Sequence, residues 1–259
     1  MTDFETLAFA QSGPVASIVL NRPQVANGMN DTMTRELAAA AALCDTAATK
    51  VVTITGAGRF FCAGGDLKAI AAAPDPGTYV KGIADDLHRA LSTFARMDAV
   101  VLTVVNGTAA GAGFSVAVTG DLVLAAESAK FTMAYTKAGL SPDGGASYYL
   151  PRLIGLRRTQ QLMLTNRTLS ATEALEWGLL TDVVPDAELS ARADALAQEL
   201  ANTSRTSNAT VKRLLLGSSR SGLEEQLEAE ARAIAESVRS ADGQEGVAAF
   251  LEKRAPQFG

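Results

Sequence analysis

Short runs of aliphatic and β-branched residues punctuate the first two thirds of the chain, at Val15–Leu20, Val51–Thr55, Val100–Val105 and Leu122–Ala125. Each is short, almost wholly apolar and rich in Val and Ile, which fits a buried strand. Between them lie stretches read as helical, over about 31–48, 78–97 and 112–118. Strands alternating with helices predict an α/β fold with largely parallel pairing. Glycines cluster at Gly56, Gly58, Gly64, Gly65, Gly107, Gly111, Gly113, Gly144 and Gly145, mostly where a strand has just ended. Folds of this class place their ligand loops there.

The last third reads as helical throughout. Ser170-Ala171-Thr172-Glu173 has the form of a capping box and Gly178 supplies a stop, which predicts a short helix over 171–177. Ser221-Gly222-Leu223-Glu224 has the same form, and behind it Leu223, Leu227, Ala231, Ile234 and Val238 fall on one helical face. These helices have no strands to cover. Their apolar faces must pack on the core, on each other or on another subunit.

Composition narrows the chemistry. At 259 residues, with 47% hydrophobic and 20% charged residues, the chain forms one large domain or two smaller ones. His88 is the only histidine, and Cys44 and Cys62 lack CxxC spacing, so no metal site is expected. No GxSxG elbow stands ready to meet His88 in a Ser-His-Asp triad. A net charge of −5 argues against nucleic acid as a partner. The acidic start Met1-Thr2-Asp3-Phe4-Glu5 has no signal-peptide core, and the longest apolar run, Leu37–Cys44, falls far short of the roughly 20 residues that span a bilayer. No membrane association is expected. Two cysteines without an export signal suit a reduced cytoplasm, so the chain is expected to be cytoplasmic. These features point to a small-molecule enzyme or a binding protein.

Three loops could carry chemistry. In Phe60-Phe61-Cys62-Ala63-Gly64-Gly65-Asp66-Leu67-Lys68, small residues allow a ligand close to the backbone, and Asp66 opens a helix whose first N–H groups are unpaired. In Asn106-Gly107-Thr108-Ala109-Ala110-Gly111-Ala112-Gly113-Phe114-Ser115, a strand again runs into small residues and an apolar helix. One N–H from each loop would make a two-donor oxyanion hole. Position 116 is Val, so Gly111-Ala112-Gly113 is no dinucleotide fingerprint. In Gly139-Leu140-Ser141-Pro142-Asp143-Gly144-Gly145, Asp143 is either a helix N-cap or a free carboxylate able to act as a base. Taken singly, each loop is open to a purely structural reading, the first more readily than the other two.

In their order and spacing, these segments resemble the enoyl-CoA hydratase/isomerase (crotonase) superfamily nearly end to end. The resemblance rests on Leu20-Asn21-Arg22-Pro23 with Asn27, Phe61 through Lys68, Val105-Asn106-Gly107, Asp121, Gly139 with Pro142 and Gly144-Gly145, and Phe250-Leu251-Glu252-Lys253-Arg254-Ala255-Pro256-Gln257-Phe258. It implies an α/β fold with a spiral core of ββα turns over 1–200 and a helical C-terminal region over 201–259 that trimerises, as a homotrimer or a dimer of trimers. It implies an acyl-CoA thioester as substrate, with no cofactor beyond the CoA that the substrate carries. Gly65 and Ala112 match the two backbone donors to the thioester carbonyl. Gln24, Val25, Ala26, Ala63, Asp66 and Leu67 match stretches lining the CoA, and Lys68 and Lys253 are candidate phosphate partners.

The family's hydratases use two glutamates to activate water, and the matching positions here are Ser115 and Tyr135. Both remain candidate substrate-binding residues, but neither side chain is a good base at neutral pH. Asp143 matches the acidic residue of several isomerases. The resemblance therefore favours a Δ3–Δ2 enoyl-CoA isomerase or a ring-opening relative. The alternatives are a hydratase/lyase using Asp143, an aryl-CoA dehalogenase-like hydrolase in which Phe61, Phe114 and Tyr135 flank an aromatic acyl group (the three are equally open to a reading as core residues), and a non-catalytic acyl-CoA binder.

Overall fold

The computed structural model describes residues 3–259. Strand β1 (Leu7–Ser12) turns back into β2 (Val15–Leu20), and the two form an antiparallel hairpin with Leu7 opposite Leu20. Helix α1 (Asp31–Cys44) follows, its first turn closed by the Asn30 side chain accepting from the Met33 amide. From here each turn of chain gives one strand to each of two sheets. The first turn contributes β3 (Val51–Gly56) and β4 (Phe60–Cys62), then α2 (Leu67–Ala72) and α3 (Pro76–Arg96). The second contributes β5 (Val100–Val105), β6 (Thr108–Ala110) and α4 (Ala112–Ala117). The third contributes β7 (Leu122–Ala126), β8 (Lys130–Thr132) and α5 (Ala146–Thr165). The last contributes β9 (Leu169–Ser170), α6 (Ala171–Glu176), β10 (Asp182–Val184) and α7 (Leu189–Ala201).

The result is a six-stranded sheet ordered β1-β2-β3-β5-β7-β10 beside a four-stranded sheet ordered β4-β6-β8-β9. Among the described residues only β1–β2 and β8–β9 pair antiparallel. This is the expected spiral of ββα turns. Its core holds Ile18, Ile54, Phe61, Phe94, Phe114 and Phe131, all almost wholly buried, and Phe114 meets Phe131 with ring centroids 5.6 Å apart. Burying a side chain of that size stabilises the fold by about 1.5–3 kcal/mol. Phe61 and Phe114 are thus core residues with no exposed surface.

Several boundaries differ from expectation. Helix α1 ends at Cys44 rather than 48, because Asp45 leaves the helical region (φ −79°, ψ 66°). Helix α3 starts two residues early, where Asp75 accepts from the Gly77 and Thr78 amides and Pro76 occupies the first turn. The capping box at Ser170 and Glu173 is present. The one expected at Ser221 is not: its hydroxyl donates to the Gly217 carbonyl, and Gly222 opens the helix with no side-chain cap.

The chain ends in α8 (Arg205–Ser218), α9 (Leu223–Arg239) and α10 (Ala241–Glu252). Helix α8 is locked to the spiral by Lys212, 8% exposed, whose Nζ donates to the carbonyls of Phe94 (3.0 Å) and Ala99 (2.6 Å) and pairs with Asp121 at 2.7 Å. Helix α9 packs on α8 and α10. It leaves Leu223, Leu227, Ile234 and Val238 more than half exposed. No helix among the described residues is long and apolar enough to cross a membrane.

Lys212→Met should leave Asp121 and two carbonyls without their buried cation. We expect a loss of about 3 kcal/mol in urea-unfolding free energy, the low end for breaking a buried pair because Asp121 retains some solvent access. An unchanged midpoint would refute the locking role.

Candidate functional site

The first loop of the site is held from below by the segment after β2. Ala63 donates to the Ala26 carbonyl at 3.0 Å, Met29 to the Gly64 carbonyl at 2.8 Å, and Asp66 to the Met29 carbonyl at 2.8 Å. Met29 and Gly65 thereby form a parallel bridge. In that pattern the partners of Met29 are the residues on either side of Gly65. The Gly65 N–H is left facing away, with no acceptor among the described residues. Asp66 does cap α2, accepting from the Lys68 and Ala69 amides at 3.2 Å, and its other oxygen pairs with Arg22 at 3.1 Å. Asn27, fully buried, ties the base together: its amide donates to the carbonyls of Ala57, Phe60 and Phe61, and its oxygen accepts from the Arg22 amide.

The second loop lies against the first. Gly64, at φ +94°, approaches it so closely that a Cβ there would stand 2.9 Å from the Ala110 carbonyl and 3.3 Å from the Ala112 nitrogen. Gly111 donates to Thr132 and accepts from Phe114 and Ser115. Ala112 is the first residue of α4, so its N–H has no intrahelical partner and no other acceptor among the described residues. Two unpaired amides, of Gly65 and Ala112, thus stand on adjoining loops. Ala112 keeps its donor although it is not glycine.

The third loop brings the carboxylate. Helix α5 is capped by Gly145 without any side-chain bond, so Asp143 is not an N-cap. Its Oδ1 accepts from the Tyr135 hydroxyl at 2.5 Å, and its backbone carbonyl accepts from the Ser115 hydroxyl at 2.9 Å. Its Oδ2 has no partner among the described residues. Ser115, fully buried on α4, also lies 3.1 Å from the Tyr135 oxygen. Burial, and then the nearby Asp143, push the Tyr135 phenol up from its ordinary value. Tyr135 is therefore a fixed hydrogen-bond donor and no base. Gly144, at φ +61°, fits here because a Cβ would meet that of Ser115 at 2.7 Å.

These contacts bring Gly65, Ala112, Ser115, Tyr135 and Asp143 into one constellation. Gln24, Val25 and Ala26 join Ala63, Leu67 and Lys68 on the outer side of the first loop, linked by the Ala63–Ala26 bond. No hydrogen bond among the described residues links Lys253 to them. The chain end around it is clamped by Arg254 on Glu245 and by Lys50 on the Phe258 carbonyl. Lys50 precedes β3, whereas the site loops follow the opposite ends of the strands. Cys62 is buried beneath the first loop, its thiol pushed up to about 12 by desolvation. One contact had no signal in the sequence: His88 on α3 accepts from the Gly144 amide through Nε2 at 3.0 Å, across 56 residues of chain.

A family model described as enoyl-CoA hydratase/isomerase matches residues 10–259. The chain is 41% identical to a 1,2-epoxyphenylacetyl-CoA isomerase of Escherichia coli (strain K12), with 94% of both chains covered. It is 36% identical to a carnitinyl-CoA dehydratase of Salmonella typhi, with 97% of both covered. Among solved structures it superposes on an enoyl-CoA hydratase from Bacillus anthracis with a TM-score of 0.92 and 31% identity, covering 98% of this chain and 99% of the other.

Proposed function

The chain belongs to the enoyl-CoA hydratase/isomerase family of acyl-CoA enzymes, and from that premise we propose that it isomerises an acyl-CoA thioester, with Asp143 moving the proton. The observation that carries this reading is the state of the Asp143 carboxylate. One oxygen is held by Tyr135 and the other is free. The two positions where the family's hydratases carry glutamates hold a buried serine and a phenol. A single carboxylate suffices for a 1,3-proton shift but leaves no second group to position water.

The thioester oxygen lies between the Gly65 and Ala112 amides. Asp143 Oδ2 takes a proton from C2 of a 3-enoyl-CoA, and the electron pair moves onto the thioester oxygen as a dienolate. The two amides hold that charge, each contributing about 2.7–4 kcal/mol, most of it in the transition state. The proton returns from Asp143 to C4, and the double bond moves from C3–C4 to C2–C3. No metal and no nicotinamide takes part. Gln24, Val25, Ala26, Ala63, Asp66, Leu67 and Lys68 form the surface for the CoA. A second substrate class is favoured by one specific likeness, the 41% identity to an enzyme named for an epoxide of phenylacetyl-CoA. There too, isomerisation without net addition of water is the outcome.

Incubation with 2-enoyl-, 3-enoyl- and arene-epoxide acyl-CoAs, with products identified by mass and proton NMR, separates these readings. We expect a rearranged product of unchanged mass, and an 18-Da gain would instead mark a hydratase. Asp143→Asn should slow turnover about 10²- to 10⁴-fold while thioester affinity changes little. Ser115→Ala should have a smaller effect. Turnover within twofold of normal for Asp143→Asn would overturn the assignment.

We also read α8 to α10, over 201–259, as the region through which the chain assembles into a trimer. The exposed apolar residues Leu223, Leu227, Ile234 and Val238 support this, and Lys253 could reach a CoA phosphate only on another chain's site. Light scattering at micromolar concentration should give a mass three, or six, times the 26.9 kDa chain. A monodisperse monomer would contradict it.

A further inference from the structure

We infer that His88 is a positioning residue: as a neutral imidazole with a bare Nε2, it grips the Gly144 amide and fixes the loop that aims Asp143. This rests on the proposed role of Asp143, but the geometry behind it is independent of any substrate.

Asp143 is followed by two glycines in the left-handed region, Gly144 at φ +61° and Gly145 at φ +76°. Successive glycines are the least restricted backbone available, so this segment needs external ties to hold one conformation. Tyr135 holds the carboxylate, and Ser115 holds the Asp143 carbonyl. Neither touches the N–H of the Asp143–Gly144 peptide. His88 accepts from it at 3.0 Å, so that peptide is held at its carbonyl by Ser115 and at its amide by His88. It also reaches from α3, an element that supplies none of the proposed acid–base or oxyanion groups. An N–H donor requires a lone pair at Nε2, so the ring proton sits on Nδ1. A protonated ring would present a donor to a donor and lose the tie.

The setting leaves the ring free to do this. Its neighbours Leu87 and Leu91 are buried, while His88 itself is exposed beside a cavity of about 420 Å³ that Arg96, Tyr148, Tyr149 and Arg220 also line. On its own helix Asp85 and Arg89 stand within one turn. Arg96 reaches the cavity from the same helix, Tyr148 and Tyr149 from α5, and Arg220 from the end of α8. Replacing an exposed ring opens no hole in the core, so stability serves as a control.

Two substitutions separate positioning from direct proton transfer. His88→Gln can place an amide oxygen near the site of Nε2, and His88→Leu can accept nothing. On a 3-enoyl-CoA, His88→Leu should lower kcat about tenfold, the scale of one neutral hydrogen bond, with KM within twofold. His88→Gln should restore kcat to within about threefold of the unsubstituted enzyme. If His88→Gln is as impaired as His88→Leu, the imidazole itself moves a proton and the proposal fails. Unchanged kcat in His88→Leu also overturns it. A third arm needs no activity. Because the chain has one histidine, its ¹⁵N ring resonances report His88 alone, and they should show the Nδ1–H tautomer near neutral pH. An Nε2–H tautomer would overturn the proposal whatever the substrate proves to be. Absence of isomerisation by the unsubstituted enzyme would count only against the functional reading.

Discussion

A backbone amide needs an acceptor, from the protein or from water, and here Gly65 is exposed while Ala112 is buried. The arrangement of this site turns on two amides that the fold leaves unmatched side by side. The bridge between Met29 and the residues flanking Gly65 uses up the neighbouring groups of the first loop and turns the Gly65 N–H outward. The start of α4 does the same for Ala112. Neither donor depends on a side chain, on pH or on a rotamer. Their position is set by how closely two turns of the spiral stack, and Gly64 allows that closeness because it has no Cβ to strike Ala110.

The rest of the site follows from this packing. Helix α4 carries Ala112 in its first turn and Ser115 three residues later, so the helix that offers one amide also offers the hydroxyl that ties down the Asp143 carbonyl. Tyr135 fixes one carboxylate oxygen and leaves the other free. The fold alone does not choose a reaction, since relatives of the same architecture are named as isomerase, dehydratase and hydratase. On the proposed reading the reaction of this chain is set by which of positions 115, 135 and 143 bears a carboxylate. Here Asp143 alone does.

The strands at 15–20 and 100–105 were legible because buried parallel strands read as continuous apolar runs. Strand β1 was not: in LAFAQS only Leu7 is buried, so no apolar run marks it. The two-residue β9 and three-residue β4, β6, β8 and β10 were invisible for a related reason, being too short to show a period. Asp143 could be read from sequence as a cap or as a free carboxylate. The choice depended on Tyr135 and Ser115 arriving from other turns. His88 was the least legible, because its partner is a main-chain amide far along the chain and a main-chain donor leaves no residue type to notice. Lys253 is the opposite case, a well-marked motif position that no hydrogen bond among the described residues ties to the site loops.

The central claim is that the Gly65 and Ala112 amides receive a thioester oxygen. Difference infrared spectra of a saturated acyl-CoA labelled with ¹³C at the thioester carbonyl test it directly, because two hydrogen bonds to that oxygen polarise it before any chemistry begins. The account predicts a carbonyl stretch shifted to lower wavenumber on binding, and the same shift with Asp143→Asn, whose amide donors are untouched. A bound carbonyl absorbing at the frequency of the free thioester would contradict it.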